Sequence, residues 1–161
     1  MNLYWIETSN ARLAIVGRPR GHDWLDDDIT SLKQAGVDVL VSALTASESE
    51  ELGLVEERNV CRSREMDFVS FPIEDRSVPV SQDEFQRLIV SLHALLAAGK
   101  HVAIHCRAGI GRSSLIAAAL LVDSGFSVET AFVTVERARG ISIPDTPEQR
   151  LWLERYSLKS K

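Results

Sequence analysis

Short apolar or β-branched runs alternate with stretches of helical periodicity along most of the chain. Arg12 to Gly17 (RLAIVG), Val37 to Leu44 (VDVLVSAL), Phe68 to Ile73 (FVSFPI) and His101 to Cys106 (HVAIHC) have the length of strands rather than helices. Leu3 to Ile6 is a weaker strand candidate, placed at an edge. Ser81 to Ala98 reads as a helix, with Phe85, Leu88, Ile89, Leu92 and Leu96 on one face, Ser81 and Glu84 as a capping box, and Gly99 after its end. Leu25, Ile29 and Leu32 mark an earlier amphipathic helix whose first turn holds Asp26, Asp27 and Asp28, which suits the helix dipole, and Gly36 follows it. Thr146, Pro147 and Gln149 supply cap, first-turn proline and capping-box partner for a last helix carrying Leu151 and Trp152. This alternation predicts a single α/β domain over residues 1–161, with a central, mainly parallel sheet of four to five strands flanked by helices.

Composition narrows the function. Hydrophobic residues make up 45% and charged ones 25%, the mix of an ordinary globular protein, and no run approaches the length of a membrane span. The net charge of −5 gives no global attraction to nucleic acid or to anionic lipid, so neither is expected as a partner and any phosphate affinity must be local. The first residues lack the pattern of a secretory signal, and a cytoplasmic, monomeric protein is expected. Cys61 and Cys106 are too few and too far apart for a disulfide framework or a zinc site of the usual spacing, and His22, His93 and His101 are isolated, so no metal is expected.

One segment differs from the rest. His105-Cys106-Arg107-Ala108-Gly109-Ile110-Gly111-Arg112-Ser113 follows an apolar strand and opens into an almost wholly apolar helix, Ser114 to Ser124. A loop so placed turns its backbone N–H groups toward a common centre at the positive end of the helix, and its two glycines permit the curvature that an anion site requires. The spacing lets the loop curl back, bringing the Arg112 guanidinium beside the Cys106 sulfur, where it can hold two phosphate oxygens. A cation at a helix N-terminus opposes the dipole and calls for an anion. The same surroundings stabilise a thiolate, so Cys106 is the expected nucleophile toward a phosphorus bound in the cradle. Ser113 is placed to donate a hydrogen bond to the sulfur as it leaves.

His-Cys-x-x-Gly-x-x-Arg-Ser resembles the signature of the cysteine-dependent protein tyrosine phosphatases. The order of elements and the segment Phe71-Pro-Ile-Glu-Asp-Arg-Ser-Val-Pro79 are similar to the small, atypical dual-specificity branch across most of the chain. That resemblance implies a phosphate monoester hydrolase acting on a phosphorylated protein or peptide through a phosphocysteine, without metal or organic cofactor. It implies Asp75 as general acid and then general base, with Glu74 the neighbouring carboxylate that competes for the role. His105 then shapes the loop by hydrogen bonding. Pro144 to Gln149 resembles the segment that packs beside the phosphate loop, where Gln149 or Asp145 could orient the hydrolytic water, although capping explains Thr146 and Gln149 equally well.

Other readings separate on sequence features. A phospho-recognition module lacking turnover is expected to miss the nucleophile or the acid, and neither is missing here. Phosphoinositide phosphatases of the superfamily typically carry lysines inside the loop, whereas this interior offers only Arg107, which together with the acidic chain argues against lipid or RNA ends as substrate. Arg18, Arg20 and Trp24 sit in a turn that, in relatives, borders the mouth of the active site; surface and packing roles are the simpler reading. Cys61 is expected as a half-buried helical cysteine, with trapping of an oxidised Cys106 as the alternative.

Overall fold

Alternation along the strands sends side chains to two separate cores. In the computed structural model, which describes residues 1–159, β1 (Leu3–Glu7), β2 (Arg12–Val16), β3 (Val39–Ser42), β4 (Asp67–Ser70) and β5 (Val102–His105) form one sheet in the order β1-β2-β5-β3-β4. Only the pairing of β1 with β2 is antiparallel; β2, β5, β3 and β4 run parallel. Leu13, Ile15, Val39, Val41, Val102 and Ile104 point into the larger core, while Ala14, Val16, Leu40 and Ala103 point into the smaller.

The larger core is closed by α4 (Gln82–Ala97), α5 (Arg112–Asp123), α6 (Val128–Arg139) and α7 (Pro147–Lys159), the smaller by α1 (Leu25–Gln34) and α3 (Glu57–Ser63). The short α2 (Ala46–Glu51) follows β3 at the carboxyl edge of the sheet. In a sheet of this kind the loops after the parallel strands gather at that edge. No helix among the described residues is long and apolar enough to cross a membrane.

The expected α/β architecture is present, and several boundaries move. β4 ends at Ser70 rather than Ile73, although the Phe71 and Ile73 N–H groups still donate to the Ser42 and Ala43 carbonyls, at 2.9 and 3.1 Å, before the chain enters the acidic loop. The apolar helix begins at Arg112 rather than Ser114, and ten of its twelve residues are buried. At α4 the Ser81 hydroxyl accepts the Glu84 N–H at 3.2 Å, but the reciprocal half of the expected capping box does not form. A box with both halves forms at Thr45 and Glu48, at the start of a helix the periodicity does not reveal.

Candidate active site

The phosphate-type loop hangs between β5 and α5, at the middle of the sheet. Cys106 is only 3% exposed, and its Sγ accepts the Gly109 N–H at 3.3 Å and lies 3.3 Å from the Ser113 hydroxyl. Gly109 has φ +71°, a left-handed conformation that costs glycine little and lets its N–H turn back onto the sulfur. Cys106, Gly109 and Ser113 are therefore brought together as the sequence predicts.

Arg112 is 2% exposed and is the largest fully buried side chain among the described residues. Its Nη1 donates to Glu48 Oε2 at 2.7 Å and to the Ile73 carbonyl at 2.8 Å, while Nη2 donates to Glu48 Oε1 and to Asp75 Oδ1, both at 3.0 Å. Burial opposes its charge, but the bonds to Glu48 and the electrostatic influence of Cys106, Glu48 and Asp75 outweigh it and raise its pKa above the ordinary value. The guanidinium thus stands fixed between a buried carboxylate behind it and an accessible one in front. Asp75, whose side chain is 56% exposed, is the loop carboxylate that reaches Arg112, while Glu74 turns its carbonyl to the Ser77 N–H at 3.0 Å.

The partners of these groups lie in segments without a recognisable motif. Glu48 on α2 holds Arg112 with a bidentate pair, and it receives the Thr45 N–H at 3.0 Å. Burial works against the Glu48 charge, yet the bonds from Arg112 and Thr45 hold its carboxyl below the usual carboxylate range. A folded-state pKa below the unfolded value stabilises the protein above the unfolded pKa, near 4.5, and the contribution fades as pH falls toward the folded value. Melting the natural protein between pH ~7 and ~3 should therefore show a steep acid loss of Tm, whereas Glu48→Gln should start about 2 kcal/mol less stable and decline more gently. Parallel curves would remove Glu48 from the acid response.

His105 is fully buried at the end of β5, with Nε2 2.6 Å from Glu57 Oε1 on α3 and Nδ1 3.3 Å from the Cys106 carbonyl. It braces the start of the loop, as the resemblance implies, and does not face the anion site. Gln149 is also fully buried. Its Oε1 accepts the N–H groups of Asp145 and Thr146 at 3.1 and 3.2 Å, its own N–H reaches Thr146 Oγ1 at 3.3 Å, and its Nε2 donates to the Ser77 carbonyl at 3.0 Å. The capping role is realised, and the same amide ties α7 to the acidic loop. A Cβ on Gly111 would come within 2.8 Å of both Gln149 and Asp145, so this glycine is required by close approach. Asp145 lies 4.0 Å from Arg76.

Arg107 points out of the loop and pairs with Glu51 at 3.0 Å and with Glu48 at 3.8 Å. Arg20 bonds Asp28 at 2.7 Å and lies over the Trp24 ring at 4.4 Å, so this pair shapes its own turn. Cys61 departs from expectation: it is fully buried, not half-buried, in the smaller core, across the sheet from Cys106, which belongs to the larger. Burial pushes its thiol up to about 12, and the sheet separates it from any oxidised Cys106.

A cysteine set in a strand-loop-helix cradle, facing a buried arginine and a loop aspartate, defines a cysteine-dependent phosphatase site. A family model for the dual specificity phosphatase catalytic domain matches residues 27–157, and the chain belongs to that family. It is 33% identical over 79 residues to mouse dual specificity protein phosphatase 2, a match covering 48% of this chain and 25% of that protein. It is 31% identical over 96 residues to human protein tyrosine phosphatase type IVA 3, covering 58% of this chain and 53% of that one. The chain thus spans about a quarter and about half of these curated relatives. Among solved structures, a kinase associated phosphatase with serine in place of its catalytic site cysteine superposes with a TM-score of 0.87 at 20% identity, over 98% of this chain and 94% of that one. The family match covers the strand, loop and helix that carry Cys106 and Arg112 and the loop that carries Asp75.

Proposed function

We propose that the protein hydrolyses phosphate monoesters on phosphorylated proteins or peptides in two steps through a phosphocysteine. The observation that carries this reading is one loop that holds Cys106 Sγ against the Gly109 N–H and the Ser113 hydroxyl and, next to Ser113, places Arg112, which bonds Asp75 and lies close enough to Cys106 to interact with it electrostatically. A phosphate entering the cradle takes the Arg112 Nη2 edge now held by Asp75, and the inward N–H groups bind its remaining charge. The Cys106 thiolate attacks phosphorus as the ester bond breaks, and Asp75 gives its proton to the leaving oxygen. Water then attacks the phosphocysteine, Asp75 takes the water's proton, and the sulfur departs as a thiolate that the Ser113 hydroxyl supports.

A protein rather than a phosphoinositide substrate is favoured by Arg107, the single basic residue inside the loop, whose charge is already answered by Glu51 and Glu48. The test is Asp75→Asn assayed with p-nitrophenyl phosphate and a phosphopeptide in the presence of chelator. Turnover should fall on the order of 10²-fold or more, and the decline of rate toward high pH that deprotonation of a general acid causes should vanish. Full activity with an unchanged pH profile would exclude Asp75 from proton transfer and return Glu74 to consideration.

A further inference from the structure

We infer that Arg139, at the end of α6, is a positioning residue of the phosphate loop that turns two consecutive peptide planes so that their N–H groups face the anion. Its Nε donates to the Gly109 carbonyl at 2.9 Å and its Nη2 to the Ala108 carbonyl at 3.3 Å. In a trans peptide the C=O and N–H point in opposite directions. Drawing the Ala108 oxygen outward therefore drives the Gly109 N–H inward, and that N–H is the one donating to Cys106 Sγ at 3.3 Å. Drawing the Gly109 oxygen outward likewise turns the Ile110 N–H toward the cradle. The positive φ of Gly109, +71°, lets successive N–H groups point to the same side, as an anion-binding nest requires.

The fold aims the guanidinium at these two carbonyls. Gly140, with φ +78°, ends α6 directly after Arg139, and its N–H returns to the Glu136 carbonyl at 2.8 Å. On the other side Tyr4 of β1 presents its ring to the guanidinium at 4.3 Å, which restrains the side chain by a cation–π contact. A planar fork suits two neighbouring acceptors in a way a single ammonium does not. Arg139 itself does not touch the reacting atoms; it acts through the loop backbone.

The inference rests on the phosphate site proposed above, so its test reads binding apart from turnover. Inorganic phosphate should protect Cys106 from alkylation by iodoacetate, and half-protection gives the phosphate Kd. In Arg139→Ala, that Kd and the KM for p-nitrophenyl phosphate should both rise by about tenfold, because two charge-assisted donors lose their aim. Arg139→Lys, which keeps the charge and the stem, should fall between this variant and the natural protein, and it carries the test should Arg139→Ala fail to fold. A folded variant with unchanged phosphate Kd and KM, showing only a lower Tm or kcat, overturns the inference and leaves Arg139 a packing residue. No protection by phosphate in the natural protein overturns the reading of the site, and the inference with it, before any variant is made.

Discussion

Replacing Cys106 with serine should remove turnover of p-nitrophenyl phosphate and of phosphopeptides, by on the order of 10⁵-fold or more, while leaving the protein folded and able to bind phosphate. The sulfur is the only group at the floor of the cradle that the loop equips as a nucleophile, with the Gly109 N–H and the Ser113 hydroxyl both within 3.3 Å. A serine hydroxyl fills the same space and keeps those neighbours, but it is a far weaker nucleophile without a base beside it. In the proposed mechanism phosphate is held by the loop amides and Arg112, which the change leaves in place. Residual turnover within tenfold of the natural protein would mean that the reaction does not pass through this sulfur.

The second large effect is expected at Arg112. Arg112→Lys should lower kcat/KM by roughly 10³-fold and cost about 3 kcal/mol of stability, read from p-nitrophenyl phosphate kinetics and from denaturant unfolding. Two consequences come from one substitution because the guanidinium has two sides. Its buried side satisfies Glu48 bidentately and caps the Ile73 carbonyl, and an ammonium cannot meet these acceptors together. Its outer edge, now on Asp75, is the edge that the proposed mechanism gives to phosphate. Loss of stability with unchanged kcat/KM would reduce Arg112 to a structural ion pair.

Those two residues were the most legible part of the site. The Cys-to-Arg spacing, the glycines and the strand-to-helix context are local, so the cradle could be read directly from residues 105 to 113. The strands were legible for the same reason, each being a short apolar run, although β3 and β4 are shorter than their runs: β3 covers Val39–Ser42 of Val37 to Leu44, and β4 stops at Ser70 with Phe71 and Ile73 still bonded to the Ser42 and Ala43 carbonyls. A cation at the start of α5 does call for an anion, and the resident anions are Glu48 and Asp75. Glu48 could not have been found from spacing. It lies 64 residues from Arg112, in an acidic stretch that reads as a solvated surface. Glu57, the buried partner of His105, is hidden in the same way. For α6 the sequence carries its signals in the Ser127 cap, the Ala131, Phe132 and Val135 face and the closing Gly140. With that helix unplaced, Arg139 was one more exposed-looking arginine.

Hydrolysis through a covalent phosphate on Cys106 can be read by mixing enzyme with a fast aryl phosphate, quenching within milliseconds and mapping the protein by mass spectrometry. Phosphate should be found on the peptide containing Cys106, accumulate to a larger fraction in Asp75→Asn, where activation of water is impaired, and be absent in Cys106→Ser. Steady turnover by the natural protein with no phosphate on Cys106 at any quench time, in either the natural or the Asp75→Asn protein, would contradict the account.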